Sequence, residues 1–237
     1  NIDGDVVLNL CGGTYVNVFG GSKGRKAGSG DDGKEANITG NVTLNLYGGT
    51  ITNVFGGSNL NGHIGGVITV NVIDAESTTC PLDVTNIYGG SNETDYTPGN
   101  ASAISPVVNV IHAKNGIHGN VYGGSKGVVG AAVPTIVIAN PMVNIGYDSN
   151  TMGNTNDTNS LIYKLMHDPN YLSTTQPDNF KSTIEGSVFG GGDAAKVQGD
   201  TDIRLNKHAK VLHNVYGGGN MGEVDGDTKV IINGKRQ

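Results

Sequence analysis

Apolar and polar residues alternate with period two through much of this chain. Val42, Leu44 and Leu46 are separated by Thr43 and Asn45, and Ile68, Val70 and Val72 by Thr69 and Asn71. Ile203 and Leu205 alternate in the same way with Asp202 and Arg204. Successive side chains leave a strand on opposite sides, so this period marks strands with one face turned to a core. Glycine clusters and polar residues separate the alternating runs, as corners require. The pattern predicts short strands joined by tight bends.

A second pattern recurs with the first. A β-branched residue, an aromatic ring and a glycine pair return six times, as Asn17 to Gly21, Asn53 to Gly57, Asn86 to Gly90, Asn120 to Gly124, Ser187 to Gly191 and Asn214 to Gly218. The copies begin 36, 33, 34, 67 and 27 residues apart. Repetition of this kind means that one supersecondary unit is stacked on itself. Helical repeats would show a 3.6-residue stripe between copies, and none is present. A four-stranded propeller blade takes about 40 to 45 residues, more than the shortest unit here provides. That unit accommodates three short strands: one through the aromatic motif, one through Lys196 to Gln198, and one through Thr201 to Leu205. The expectation is an all-β parallel β-solenoid, three short strands per coil and about six to seven coils. Its inward rows would be Leu8, Leu44, Val70, Val108, Ile136, Ile203 and Val230, and beside them Leu10, Leu46, Val72, Val110, Ile138, Leu205 and Ile232.

Between residues 147 and 185 the repeat is interrupted. Leu161, Ile162, Leu165 and Met166 make the apolar stripe of one short helix, Asn159 or Ser160 can cap it, and Pro169 ends it. This insertion either covers a flank of the strands or serves as a recognition arm.

The candidate chemistry lies in the repeats. With Val18 and its equivalents inward, alternation turns Phe19, Phe55, Tyr88, Tyr122, Phe189 and Tyr216 outward, with rings about 4.8 Å apart. Such a ladder either stacks on sugar faces or only stabilises the sheet through ring pairs. Asn17, Asn53, Asn86, Asn120 and Asn214 form a structural amide ladder at a bend. Asn9, Asn45, Asn71 and Asn109 make an uncharged outward row that is either a glycan surface or a solvated face.

Enzymatic signals are sparse, and no catalytic residue is assigned. Acidic residues gather at corners, at Asp31, Asp32 and Glu35, and at Asp193, Asp200, Asp202, Asp225 and Asp227, rather than as the facing pair that glycoside cleavage needs. No metal-ligand spacing occurs among the six histidines, and no cofactor is expected. Asp200 and Asp227 stack one repeat apart and offer at most a weak calcium site. Net charge −6 and a pI near 5.4 argue against nucleic acid or an anionic membrane as partner. No apolar stretch is long enough to span a bilayer. Cys11 and Cys80 fall about two coils apart, too far for a bridge.

These aromatic–glycine repeats, with strands such as Gly40 to Leu46, resemble the Val-Tyr-Gly-Gly-Gly repeat proteins of gut-type Gram-negative bacteria. More distantly they resemble the right-handed parallel β-helix of pectate lyases and filamentous adhesins. The resemblance covers all but the insertion. It implies right-handedness and an extracellular or cell-surface location. Neither end carries the polar cap a solenoid needs, so residues 1–237 are expected to be one solenoid segment of a longer protein, with further repeats of the same chain at both ends; host glycans or surface proteins are the expected partners. No lyase motif carries over. The function expected is a non-enzymatic adhesin-like stalk or glycan/protein-binding scaffold; the alternative is a carbohydrate-active enzyme with its site on one face.

Overall fold

The computed structural model describes residues 1–28 and 32–233; Asp31, one of the corner acids, lies outside them. The strands are β1 (Val6–Phe19), β2 (Val42–Phe55), β3 (Ile68–Ile73), β4 (Leu82–Tyr88), β5 (Ile104–Ile117), β6 (Val121–Tyr122), β7 (Ile136–Val137) and β8 (Asn140–Ile145). After the insertion follow β9 (Ser182–Ile184), β10 (Val188–Phe189), β11 (Lys196–Val197), β12 (Thr201–Leu205), β13 (Ala209–Val211), β14 (Val215–Tyr216) and β15 (Thr228–Ile232). The insertion carries two short α-helices, α1 (Ser149–Met152) and α2 (Leu161–Met166), and a 3-10 turn at Pro177–Asn179. Among the described residues no helix is long and apolar enough to cross a membrane.

The named strands pair in parallel, in registers that follow the apolar pattern. Leu8 pairs Leu44, Leu44 pairs Val70, and Val70 pairs Val108. The row then continues through Val143 to Ile203 and Val230, so Ile136 is not its fifth member. Ile145 likewise takes the place expected of Ile138 in the neighbouring row. Both segments alternate, but Val143-Asn144-Ile145 repeats the apolar–Asn–apolar triplet of the other strands, whereas Ile136 pairs with Lys196 in a separate two-stranded sheet. Leu44, Val70, Val108, Val143 and Ile203 are fully buried. Each such side chain stabilises by about 1.5–3 kcal/mol through removal from water.

The architecture around these rows departs from expectation. Pairings β2–β3, β3–β5, β5–β4 and β4–β2 close on one another, giving a four-strand parallel barrel with many strands outside it. A right-handed parallel β-helix with three short strands in each of six to seven coils is therefore not the fold. Glycine supplies the physical reason. Gly13, Gly49 and Gly116 sit inside β1, β2 and β5 at φ 93°, 114° and 84°, a region closed to most side chains. There the strand bends without ending. Each of the three runs for 14 residues where corners predicted two separate strands. The expected third strand shrinks to two-residue pairings such as β7 with β11, and to single bridges such as Ile38 with Ile64.

Candidate functional site

The six repeat aromatics stand in one row. Phe19, Phe55, Tyr88, Tyr122, Phe189 and Tyr216 stack with successive centroids 4.8–4.9 Å apart and planes within 11° of parallel. The four inner rings are buried, Phe19 is half-buried, and Tyr216 is 45 % exposed. Each inner ring has both faces covered by its neighbours, which leaves the edges and the outer faces at the two ends for any ligand. Burial raises the Tyr122 hydroxyl to about 12, with the Asp193 carboxylate adding to it. The glycine after each ring answers to close approach rather than dihedral freedom. A Cβ on Gly56 would collide with the carbonyl oxygen of Gly89, and one on Gly89 with that of Gly123.

The expected asparagine ladder forms in part. Asn53 donates to Asn17 at 3.0 Å and Asn86 to Asn53 at 3.2 Å. Beyond that point the amide oxygens turn to backbone: Asn86 accepts the Asn120 N–H, and Asn120 that of Ser187. Asn214 joins through its own N–H, donated to the Ser187 hydroxyl at 3.3 Å. A second, longer ladder runs through the row read as an outward face. Asn144 donates to Asn109, Asn109 to Asn71, Asn71 to Asn45 and Asn45 to Asn9, all at 2.8–2.9 Å. Asn45, Asn71, Asn109 and Asn144 are buried.

The insertion packs beside that second ladder. Met152, Ile162, Leu165, Tyr171 and Phe180 cluster against Tyr47, Ile73 and Ile111 of the strands. Ser160 caps α2, its hydroxyl accepting the Tyr163 N–H at 3.1 Å. A polar hub ties the insertion down. Glu76, held at φ 52°, accepts from the Thr175 and Ser173 hydroxyls of the insertion and pairs with Lys114 at 3.1 Å. His112 is buried and stacks on Phe180 at 4.9 Å. Its Nδ1 accepts the Lys181 N–H at 3.0 Å, so the ring proton sits on Nε2 and is donated to Glu76 at 3.0 Å. With the Thr175 hydroxyl the largest cause, these donors hold the Glu76 carboxyl down to about 2. Asp74 lies beneath, pushed up by burial although it accepts the backbone N–H groups of Glu76 and Lys114.

Above the hub the insertion forms a cleft of about 640 Å³. Tyr163 and His167 stack along it with centroids 3.8 Å apart, Tyr171 lines it with its hydroxyl donated to the Thr175 carbonyl, and Asn156, Thr158 and Gln176 add amides and a hydroxyl. No Asp, Glu, Lys or Arg lines it. A second groove, of about 360 Å³, crosses β8, β12 and β15 and brings Asp200, Asp202, Asp227, Arg204 and Lys229 together.

Some carboxylates cap the neighbouring segment's backbone, whereas Asp193, Asp202 and Asp225 hold the Asn220, Arg204 and Lys196 side chains. Asp5 accepts the Asn41 N–H at 2.7 Å and Asp200 the Asp227 N–H at 2.8 Å, so the stacked Asp200 and Asp227 are joined through backbone. Among the described residues no three His, Cys, Asp or Glu converge as metal ligands, and Cys11 and Cys80 are free thiols. The hub and the cleft escaped sequence reasoning. Their residues are non-repeating and come from distant segments; the one visible signal was His112 in a run otherwise apolar or small. Comparison with family models, curated proteins and solved structures returns no match.

Proposed function

We propose that this chain is a non-enzymatic, adhesin-like binding scaffold that works outside the cell or on its surface, with a host glycan or surface protein as partner. The strands provide a stiff body, and the insertion provides the recognition element. The observation that carries this reading is how the polar groups are divided. Asp5 and Asp200 cap backbone N–H groups, Asp193, Asp202 and Asp225 are engaged by side chains, and Glu76 is saturated by four donors, whereas the cleft combines aromatic rings with neutral amides and hydroxyls. Glycoside cleavage needs two carboxylates on either side of a bond, and the cleft has none. An array of glycans screened for binding, with reducing ends assayed on the same sugars, tests the reading. Retention without release is expected.

A second reading rests on the groove over β12. The Asp202 Oδ1 is buried without a partner while its Oδ2 holds Arg204 at 2.8 Å, and Asp200 and Asp227 line the same groove. That arrangement favours a carbohydrate-active enzyme with its site on one face. Release of reducing ends that disappears in Asp202→Asn would put this reading in place of the first.

A further inference from the structure

We propose that the cleft on the insertion takes an uncharged, hydroxyl-rich ligand, a short neutral oligosaccharide. This rests on the scaffold reading and names the class of its ligand. The lining chemistry selects for it. An anionic sugar would need Arg or Lys, the side chains that match carboxylate and sulfate, and a cationic ligand would need a carboxylate; the cleft supplies neither. A purely apolar ligand would strip water from the Asn156 amide and from the Gln176 amide oxygen, whose own NH2 already donates to the Thr174 carbonyl at 3.2 Å, at a desolvation cost. A sugar satisfies both kinds of surface. Its C–H face covers an aromatic wall, and its hydroxyls give and take hydrogen bonds as amides do.

The aromatic wall is the Tyr163–His167 pair. His167 Nδ1 lies 2.9 Å from the Tyr163 carbonyl oxygen, which can only accept, so the ring proton is on Nδ1. Nε2 is left with a free lone pair, an acceptor for a sugar hydroxyl. The volume, about 640 Å³, falls within the ~300–1,000 Å³ of ligand pockets. The walls are set before binding. Ser160 caps the helix that bears Tyr163 and ends at His167, the Tyr171 hydroxyl is spent on the Thr175 carbonyl, and Thr175 is held by Glu76. Little ordering cost then falls on the ligand's arrival.

The test titrates the whole chain with uncharged gluco-, galacto- and manno-oligosaccharides, beside uronic-acid oligomers of equal length, by calorimetry. Saturable binding of at least one neutral series is expected, with uronic-acid oligomers weaker. Tyr163→Ala should weaken it about tenfold or more, and Gln176→Ala, at an exposed position that leaves the fold intact, about threefold. Tyr216→Ala, at the end of the aromatic row, should leave it unchanged. No binding in any series, preference for the uronic-acid oligomers, or binding that survives both cleft substitutions would overturn the proposal. Sugar release would instead overturn the scaffold reading and leave the cleft assignment standing, so the two failures are separable.

Discussion

The strand body and the insertion are held by opposite means. In the body each side chain repeats the role of one a segment away: Leu44 on Val70, Phe55 on Tyr88, Asn71 on Asn45. Stability there is a sum of near-identical neighbour terms, as in repeat proteins generally. In the insertion no contact recurs. A small apolar cluster sets its position, and one carboxylate, Glu76, gathers the Thr175 and Ser173 hydroxyls with His112 and Lys114. Repetition makes a rigid platform and forbids variety, because a residue that differs must still fit the one beneath it. The irregular element escapes that constraint and carries the unrepeated chemistry.

The sharpest way to break the comparison is to charge the body. Val70→Asp places a carboxylate at a fully buried site whose isolated ionised form has no partner. Loss of the folded state is expected, read by circular dichroism and solubility. Position within the aromatic row should then grade the cost. Phe55→Ala, at a buried ring between two others, should cost about 3–5 kcal/mol by denaturant unfolding. Tyr216→Ala, half-exposed at the row's end, should cost less than about 1.5 kcal/mol, the scale of a single ring pair. Similar losses at both sites would show that the row does not act as stacked pairs.

Asn71→Leu removes the donor to Asn45 and the acceptor of Asn109 inside a buried ladder. A loss of about 1–3 kcal/mol is expected from the groups left unsatisfied, and a neutral outcome would make the ladder incidental. Glu76→Gln addresses the insertion alone. Amide exchange should quicken across residues 148–181 and stay slow in the strands. Acid should mimic it. The Glu76 pKa is lowered in the folded state, so its contribution is present above its unfolded value near 4.5 and lost as pH falls toward about 2. Asp74, whose pKa is raised, acts with the opposite sign and softens that loss. Exchange that quickens uniformly at low pH would deny the insertion its separate anchor.

The same division explains what was legible in the sequence. Period-two runs placed the strands, and the six aromatic–glycine copies placed their stacking, since both depend on local order and repetition. Strand continuity was less visible. The glycines at 13 and 49 look like corners, and only their positive φ inside a pairing strand shows that the chain bends and carries on. Row membership failed where two alternating runs competed, Ile136 to Ile138 against Val143 to Ile145. The Asn9, Asn45, Asn71 and Asn109 row was legible as a row, but its extension to Asn144 was lost with the Val143 to Ile145 segment, and its burial was not legible because the insertion that packs beside it is not periodic. The aromatic ladder was placed on alternation, which gives direction but not what neighbouring rings cover. Glu76, His112 and Thr175 come from three distant segments with no common spacing, so their meeting depends on the docked insertion.

Backbone amide shifts during titration with a neutral oligosaccharide test the central claim most directly, that recognition belongs to the insertion and not to the repeated rows. Saturating shifts are expected at about residues 154–176 alone, with Phe19, Tyr216 and the strands between them still. Shifts that follow the aromatic row instead, or an insertion that stays silent while the sugar binds, would contradict it.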